Sequence, residues 1–278
     1  MPELPEVETV RSALAPVVTG QQVTAVFVGR KDLRWPLPEA LDSQLLGRHF
    51  AAPIRRGKYV LMPTDDGQVL LIHLGMSGSI RIHETKPDLA RHDHIMLTVD
   101  APDGGHRYIV LNDPRRFGWV DLFAEDNMAT HKLLRDMGPE PLGNAFSAAH
   151  IRAVFANRKS PVKNALLDQR LIAGIGNIYA CEALFKAGIS PRRRAGSITA
   201  GRAEKLAHAI VTVLRAAIAE GGTSLALADY YDYVESPSWF PAEYYALPEL
   251  CTVSGADGKA PDKPTGAVLH HTAPAPKA

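Results

Sequence analysis

The 278-residue sequence predicts an α+β fold in more than one unit. Three observations point to it. Between Gln21 and Phe123 short apolar segments alternate with turn signals, the pattern of a β-rich body. From Ser147 the apolar period lengthens to that of helices. Between them lies MGPEPLGNAF, rich in proline and glycine, which reads as a linker.

The elements follow in order. Residues 1–20 form an amphipathic helix, with Pro5 in its first turn, where a missing N–H costs nothing, and Glu6 and Glu8 at its positive end. VTAVFV, YVLM, VLLIHL, SIRIH, HIMLTV, RYIVL and WVDLF are strands of four to six residues, separated by turns such as DDGQ and APDGG. Many short strands at regular spacing suggest a sandwich or a barrel. Four helices follow: SAAHIRAVFA, SPVKNALLD, NIYACEALFKAG and TAGRAEKLAHAIVTVLRAAIAEGG, each with Ser, Thr or Asn near its start. The last segment, rich in Tyr, Pro and Gly, reads as irregular or hairpin-like. The expected boundaries are an N-terminal domain over 1–132, a linker over 133–146, a helical domain over 147–224 and a tail over 225–278.

Composition narrows the class. A hydrophobic content of 46% is that of an ordinary globular protein, which argues against disorder. No apolar run approaches the roughly 18 residues of a membrane span, and the N-terminus lacks a leader layout, so no membrane partner is expected. Two cysteines, Cys181 and Cys251, make no disulfide framework and fit a reducing cytoplasm. The net charge of +1 says little, but every arginine lies at or before Arg215. A polyanion would be held mainly by residues 30–215.

Several stretches carry more polar chemistry than packing requires. The MPELPE start either serves only the helix or, once Met1 is removed, frees the secondary amine of Pro2. An α-amine titrates near pH 8, roughly 7.7–8.0 against about 10.4 for lysine, and so can attack an aldehyde carbon at neutral pH. In APIRRGKYVLM, Lys58 stands at a strand entrance, either solvated or functional. In LIHLGMSGSIRI, Gly75 and Gly78 interrupt an apolar strand, a sign of close approach by backbone or ligand. LNDPRRFGWV presents Arg115, Arg116 and Phe117 on a proline turn, which fits either nucleic-acid contact or a plain surface turn. AGIGNIY places Gly174, Gly176 and Asn177 at a helix start, either a tight corner or a phosphate site, with Arg158, Lys159 and Lys163 bringing cations nearby.

MPELPE, RRGKY, HLGMSG, HDH, NDPRRFG and SPVKNALLDQRLIAGIGNIYACEALFKAGI, in that order, resemble bacterial formamidopyrimidine-DNA glycosylase, over roughly residues 1–225. The start, with HLGMSG and DPRRFG, favours this branch over the related endonuclease VIII. The resemblance implies a β-sandwich domain, a helix-two-turn-helix domain with a C-terminal finger-like hairpin, and a DNA cleft between them. It implies removal of 8-oxoguanine and ring-opened purines with strand cleavage at the abasic site. The partner would be damaged double-stranded DNA, met by a monomer on the bacterial nucleoid. By position, Pro2 matches the Schiff-base nucleophile, Glu3 the acid/base carboxylate and Lys58 the lysine that assists cleavage. Met76, Arg115 and Phe117 match the residues that fill the gap left by the everted base. His73, His92, Arg158 and Asn177 match phosphate-gripping positions. The rival expectation is a homologue that binds kinked DNA without completing elimination.

The tail departs from the family. A zinc finger of paired CxxC motifs is the family pattern, but here the ligand positions read Cys251, Ser254, His271 and Pro274. One cysteine and one histidine make no closed four-ligand site, so no zinc and no other cofactor is expected. Gly266 stands where the finger's DNA-binding arginine belongs. This departure puts the second elimination and some DNA affinity in question; a degenerate finger, favoured by the in-register Cys251, or an altered reading frame after about Leu225 would each account for it.

Overall fold

The computed structural model describes residues 2–222, so the tail expected over 225–278 lies outside the described residues. Two compact units are present among the described residues: one holds Pro2 and Glu6–Arg135, the other Glu3–Pro5 and residues 136–222.

In the first unit, helix α1 (Leu4–Val18) precedes β1 (Val23–Val28), a short α2 (Leu41–Leu45), and strands β2 (Ile54–Arg56), β3 (Tyr59–Pro63), β4 (Gln68–His73), β5 (Ser79–His83), β6 (Asp93–Asp100), β7 (His106–Asn112) and β8 (Trp119–Ala124). They form two four-stranded antiparallel sheets, ordered β1-β6-β7-β5 and β2-β3-β4-β8. The fold is a sandwich. Inward residues of both sheets share one core with α1, which contributes Val7, Val10, Leu14 and Val18 at helical spacing. The space among Leu70, Ile72, Ile80, Leu97, Leu111 and Val120 is only about 20 Å³ and wholly apolar. This space is too small and too apolar to hold a ligand, and it reads as ordinary core packing.

Neither α2 nor β2 was expected from the sequence. α2 is five residues long, too short to display a period. β2 reads Ile-Arg-Arg, and its charges hide it; it is an edge strand bonded only to β3. β2 matters for the site. Pairing of Arg56 with Tyr59 leaves Gly57 and Lys58 as the hairpin turn, with Gly57 at φ +57°. Arg55 Nε donates to Glu8 Oε2 at 2.9 Å and ties this hairpin to α1.

The second unit packs α3 (Ala148–Phe155), α4 (Val162–Leu167), α5 (Asn177–Lys186) and α6 (Ala200–Ala219) around Ile151, Phe155, Leu166, Tyr179, Leu206 and Ile210. Ser147 caps α3 by accepting from His150 N. The turns between α4 and α5 are braced by Gln169, whose amide donates to Leu167 O and Ile175 O and accepts from Gly174 N. The proline- and glycine-rich stretch 137–146 is bonded into this unit. Gly138 N donates to Gln169 O and Ala173 N to Pro139 O, while Leu142 and Phe146 pack on the helical core. A Cβ at Gly138 would stand 2.5 Å from Leu171 C, so glycine here serves close packing.

Candidate functional site

In the helical unit the decisive feature is Glu3. Its side chain is 1% exposed, and its carboxylate accepts from Gly176 N at 2.7 Å, Ile178 N at 3.0 Å and Tyr179 N at 3.5 Å. These are the free amides of the first turn of α5, where the helix dipole favours a negative group. Gly176 N–H, one of the groups that a phosphate at AGIGN would use, is therefore engaged by the protein's own carboxylate. Gly174 N is also engaged, by Gln169. Leu4 N donates to Gly174 O at 3.0 Å, which fixes the backbone directly after Glu3. Both glycines are required by space. A Cβ at Gly176 would lie 2.2 Å from Glu3 Cδ, and one at Gly174 2.8 Å from Leu4 Cβ.

Asn177 lies between the amides that hold Glu3, and its Oδ1 is buried with no hydrogen-bond partner among the described residues. Arg158 is held separately. It follows Asn157, a left-handed residue at φ +61°, and its Nε donates to Val154 O at 2.7 Å. Lys163, grouped with Arg158 by sequence, is 1% exposed on α4. It belongs to the interior, whereas Lys159 is exposed.

In the sandwich unit Pro2 is buried, and Lys58 is buried in the Gly57–Lys58 turn. His73 ends β4 opposite Tyr59, with ring centroids 5.0 Å apart. Burial, with Lys58 and Arg34 nearby, pushes its pKa down to about 4 despite the opposing pull of Asp113. Its Nδ1 accepts from Gly75 N at 3.1 Å, so the neutral ring carries its proton on Nε2. His73 thus offers a phosphate a hydrogen bond without a charge. His92, half-buried, precedes β6. The next residue, Asp93, takes hydrogen bonds from Asn112 Nδ2, Ala90 N and Arg81, which fixes the HDH segment.

Met76, Arg115 and Phe117 come together. Met76 sits half-buried on the turn after β4; Arg115 and Phe117 lie exposed on the loop after β7, the guanidinium 4.9 Å from the Phe117 ring centroid. The turn and the loop touch backbone to backbone. A Cβ on Gly75, at φ +64°, would fall 2.3 Å from Phe117 C, which explains the glycine that interrupts the strand pattern. The structure gathers His73, Met76, Arg115 and Phe117 at one end of the sandwich, around the start of β5 and the end of β7. Cys251, Ser254, Gly266, His271 and Pro274 lie outside the described residues.

Residues 1–120 match the family model of the formamidopyrimidine-DNA glycosylase N-terminal domain, and residues 137–229 that of the formamidopyrimidine-DNA glycosylase H2TH domain. The chain belongs to the formamidopyrimidine-DNA glycosylase family. The formamidopyrimidine-DNA glycosylase of Jannaschia sp. (strain CCS1) is 53% identical over 233 residues, 81% of each chain. That of Mesorhizobium japonicum is 44% identical over 279 residues, 93% of each chain. The Lactococcus lactis Fpg solved with abasic-site DNA superposes at a TM-score of 0.72 with 32% identity, over 80% of each chain. MutM solved with carbocyclic 8-oxo-G DNA does so at 0.72 with 33% identity, over 80% of this chain and 82% of that one. Among the described residues of this family member no helix is long and apolar enough to cross a membrane.

Two features of the site were missed by sequence reasoning. The seating of Glu3 on α5 joins residues 173 positions apart, and no local pattern signals it. Asp113 carries no sequence signal of its own in NDPRRFG, since the arginines beside it hold the more obvious chemistry.

Proposed function

We propose that this chain is a base-excision DNA glycosylase with AP lyase activity, acting on oxidised purines such as 8-oxoguanine and formamidopyrimidines in duplex DNA. The observation that carries the reading is the Glu3 carboxylate. It directly follows the Pro2 nitrogen in the chain and is fixed by three backbone donors. A general acid/base needs its reactive atom held in place, and a helix N-terminus does so without a flexible partner.

Pro2, freed of Met1, attacks C1′ of the damaged nucleotide. The C1′–base bond breaks and the base leaves with a proton, while Glu3 manages protons on the opening sugar. The resulting iminium at C1′ acidifies the C2′ hydrogen. Loss of that proton drives cleavage of the C3′–O bond, with the 3′ phosphate as leaving group. Lys58, buried in the β2–β3 turn, assists this step. Met76, Arg115 and Phe117 fill the gap left by the everted base, and His73, His92, Arg158 and Asn177 hold phosphates. The family zinc has no fitting ligand set: Cys251, Ser254, His271 and Pro274 supply one thiolate and one imidazole. We place the enzyme in the bacterial cytoplasm, with the DNA it repairs; the relatives named above are bacterial. A purely lesion-binding role is less well supported, since Pro2, Glu3 and Lys58 are all present.

The test is borohydride trapping on an 8-oxoguanine duplex. Formation of a covalent protein–DNA adduct is expected, and an unmodified protein after complete base release would overturn the Schiff-base reading.

A further inference from the structure

Asp113 opens the loop between β7 and β8 and is 1% exposed. Every polar group it owns is in use. Its N–H donates to His92 O at 3.0 Å, and its carbonyl accepts from Arg116 N at 3.2 Å and meets His94 Nε2 at 2.9 Å. Its Oδ1 accepts from Ser77 Oγ at 3.0 Å and its Oδ2 from Gly118 N at 2.7 Å. Ser77 Oγ in turn accepts from Arg115 N at 3.2 Å. One buried residue thereby joins the strand entry of His92, the turn of Met76, and the loop of Arg115 and Phe117.

These side chains are carried on irregular backbone, which no sheet ladder holds in place. Arg116, between Arg115 and Phe117, adopts a left-handed φ of 56°, a conformation that persists only where its surroundings fix it. A carboxylate suits that task because both oxygens accept and neither donates. An asparagine would set its NH₂ against one of the two donors. A serine hydroxyl suits the other end, since it donates to Asp113 while accepting from Arg115 N.

We propose that Asp113 and Ser77 form a clasp that sets Met76, Arg115 and Phe117 as one rigid wedge for insertion into the base stack. The two act as positioning residues: neither enters the DNA. The proposal rests on the wedge role assigned to those three residues above.

Ser77→Ala and Asp113→Asn test it, beside Met76→Ala, Phe117→Ala and their combinations with Ser77→Ala. The readouts are single-turnover excision of 8-oxoguanine, affinity for damaged and undamaged duplex, and fluorescence of a 2-aminopurine placed next to the lesion, which reports unstacking. Ser77→Ala lies on a half-buried turn and is expected to fold. Its excision should fall on the order of tenfold or more, since small misplacements of a positioned group carry such costs. The fluorescence step should shrink in parallel. Binding to undamaged duplex and its salt slope should stay unchanged, because no cation is removed. In a Met76→Ala/Phe117→Ala background, Ser77→Ala should add little, the non-additivity of groups acting as one unit.

Two results separate the failures. Normal excision by both Ser77→Ala and Asp113→Asn, with Met76→Ala or Phe117→Ala impaired, would overturn the clasp alone. Normal excision by Met76→Ala and Phe117→Ala would overturn the wedge reading and the clasp with it. A Ser77→Ala loss that adds in full to the wedge losses would also overturn the clasp.

Discussion

Glu3 Oε2 lies 2.7 Å from the nitrogen of Gly176, and that short bond leaves no room for a side chain at 176. A methyl group there would stand 2.2 Å from Glu3 Cδ. Gly176→Ala must therefore push the carboxylate off the first turn of α5. Excision by this variant should fall roughly 100-fold or more, within the usual range for a lost general acid/base, while affinity for damaged duplex changes little. Glu3→Gln keeps the shape but sets amide hydrogens against backbone donors, and should lose excision equally. Single-turnover excision with parallel binding assays checks both; a fully active Gly176→Ala would disprove the seating as a catalytic requirement.

The Pro2 assignment makes a different demand. Intact mass should show Met1 absent, and borohydride should then trap an adduct that maps to Pro2. Pro2→Gly should weaken trapping, because a primary amine replaces the constrained secondary one. Trapping that persists in protein retaining Met1 would place the nucleophile elsewhere.

His73 gives a pH signature. Its folded pKa of about 4 lies below the ordinary 6.5, so between these values the unfolded chain binds the extra proton. His73 therefore stabilises the fold fully above that window and loses its contribution as pH falls through it. His73→Gln should flatten the acid limb of stability by at most one proton, about 1.4 kcal/mol per pH unit. A titration of His73 by NMR with a midpoint above 6 would contradict the neutral ring.

The same neutrality separates His73 from the arginines in DNA binding. Arg115→Ala and Arg158→Ala should each reduce the slope of log affinity against log salt by about 0.9. His73→Gln and Asn177→Ala should weaken binding at neutral pH and leave the slope unchanged. Equal slopes in all four variants would show that neither arginine brings its charge to the DNA.

Much of the architecture is legible in the sequence because its long elements obey simple periods. The apolar stripe Val7, Val10, Leu14, Val18 announces α1, and alternation in SIRIH announces β5 with burial on every second residue. What fails is what is short or long-range. Ile54–Arg56 carries too few residues and too much charge to look like a strand, yet it forms the hairpin that holds Lys58. AGIGN does mark a helix start, but the carboxylate on its Gly176 amide comes from 173 residues earlier in the chain. Lys163 looks like a phosphate cation in a basic run, and only its place on α4 shows that it faces inward.

The tail carries the last expectation, drawn from its residues. Cys251, Ser254, His271 and Pro274 at the finger's ligand positions supply two donors where a structural zinc needs four, and Gly266 replaces the arginine. Purified protein should hold no stoichiometric zinc, measured by atomic emission. A chelator should leave thermal unfolding unmoved, since bound structural zinc contributes its binding energy to folding and its removal lowers the midpoint. Excision and the first elimination rest on Pro2, Glu3 and Lys58 and on groups before the tail that position them, and should persist. The second elimination should lag, because the arginine that would stabilise the departing 5′ phosphate is missing; Lys259 or Lys263 is the nearest cation in sequence that could replace it. Resolved on a denaturing gel, the product should accumulate as a nick bearing an unsaturated aldehyde at its 3′ end. One zinc per chain, or a one-nucleotide gap formed as fast as the nick, would show instead that this tail performs the family's task with a different set of residues.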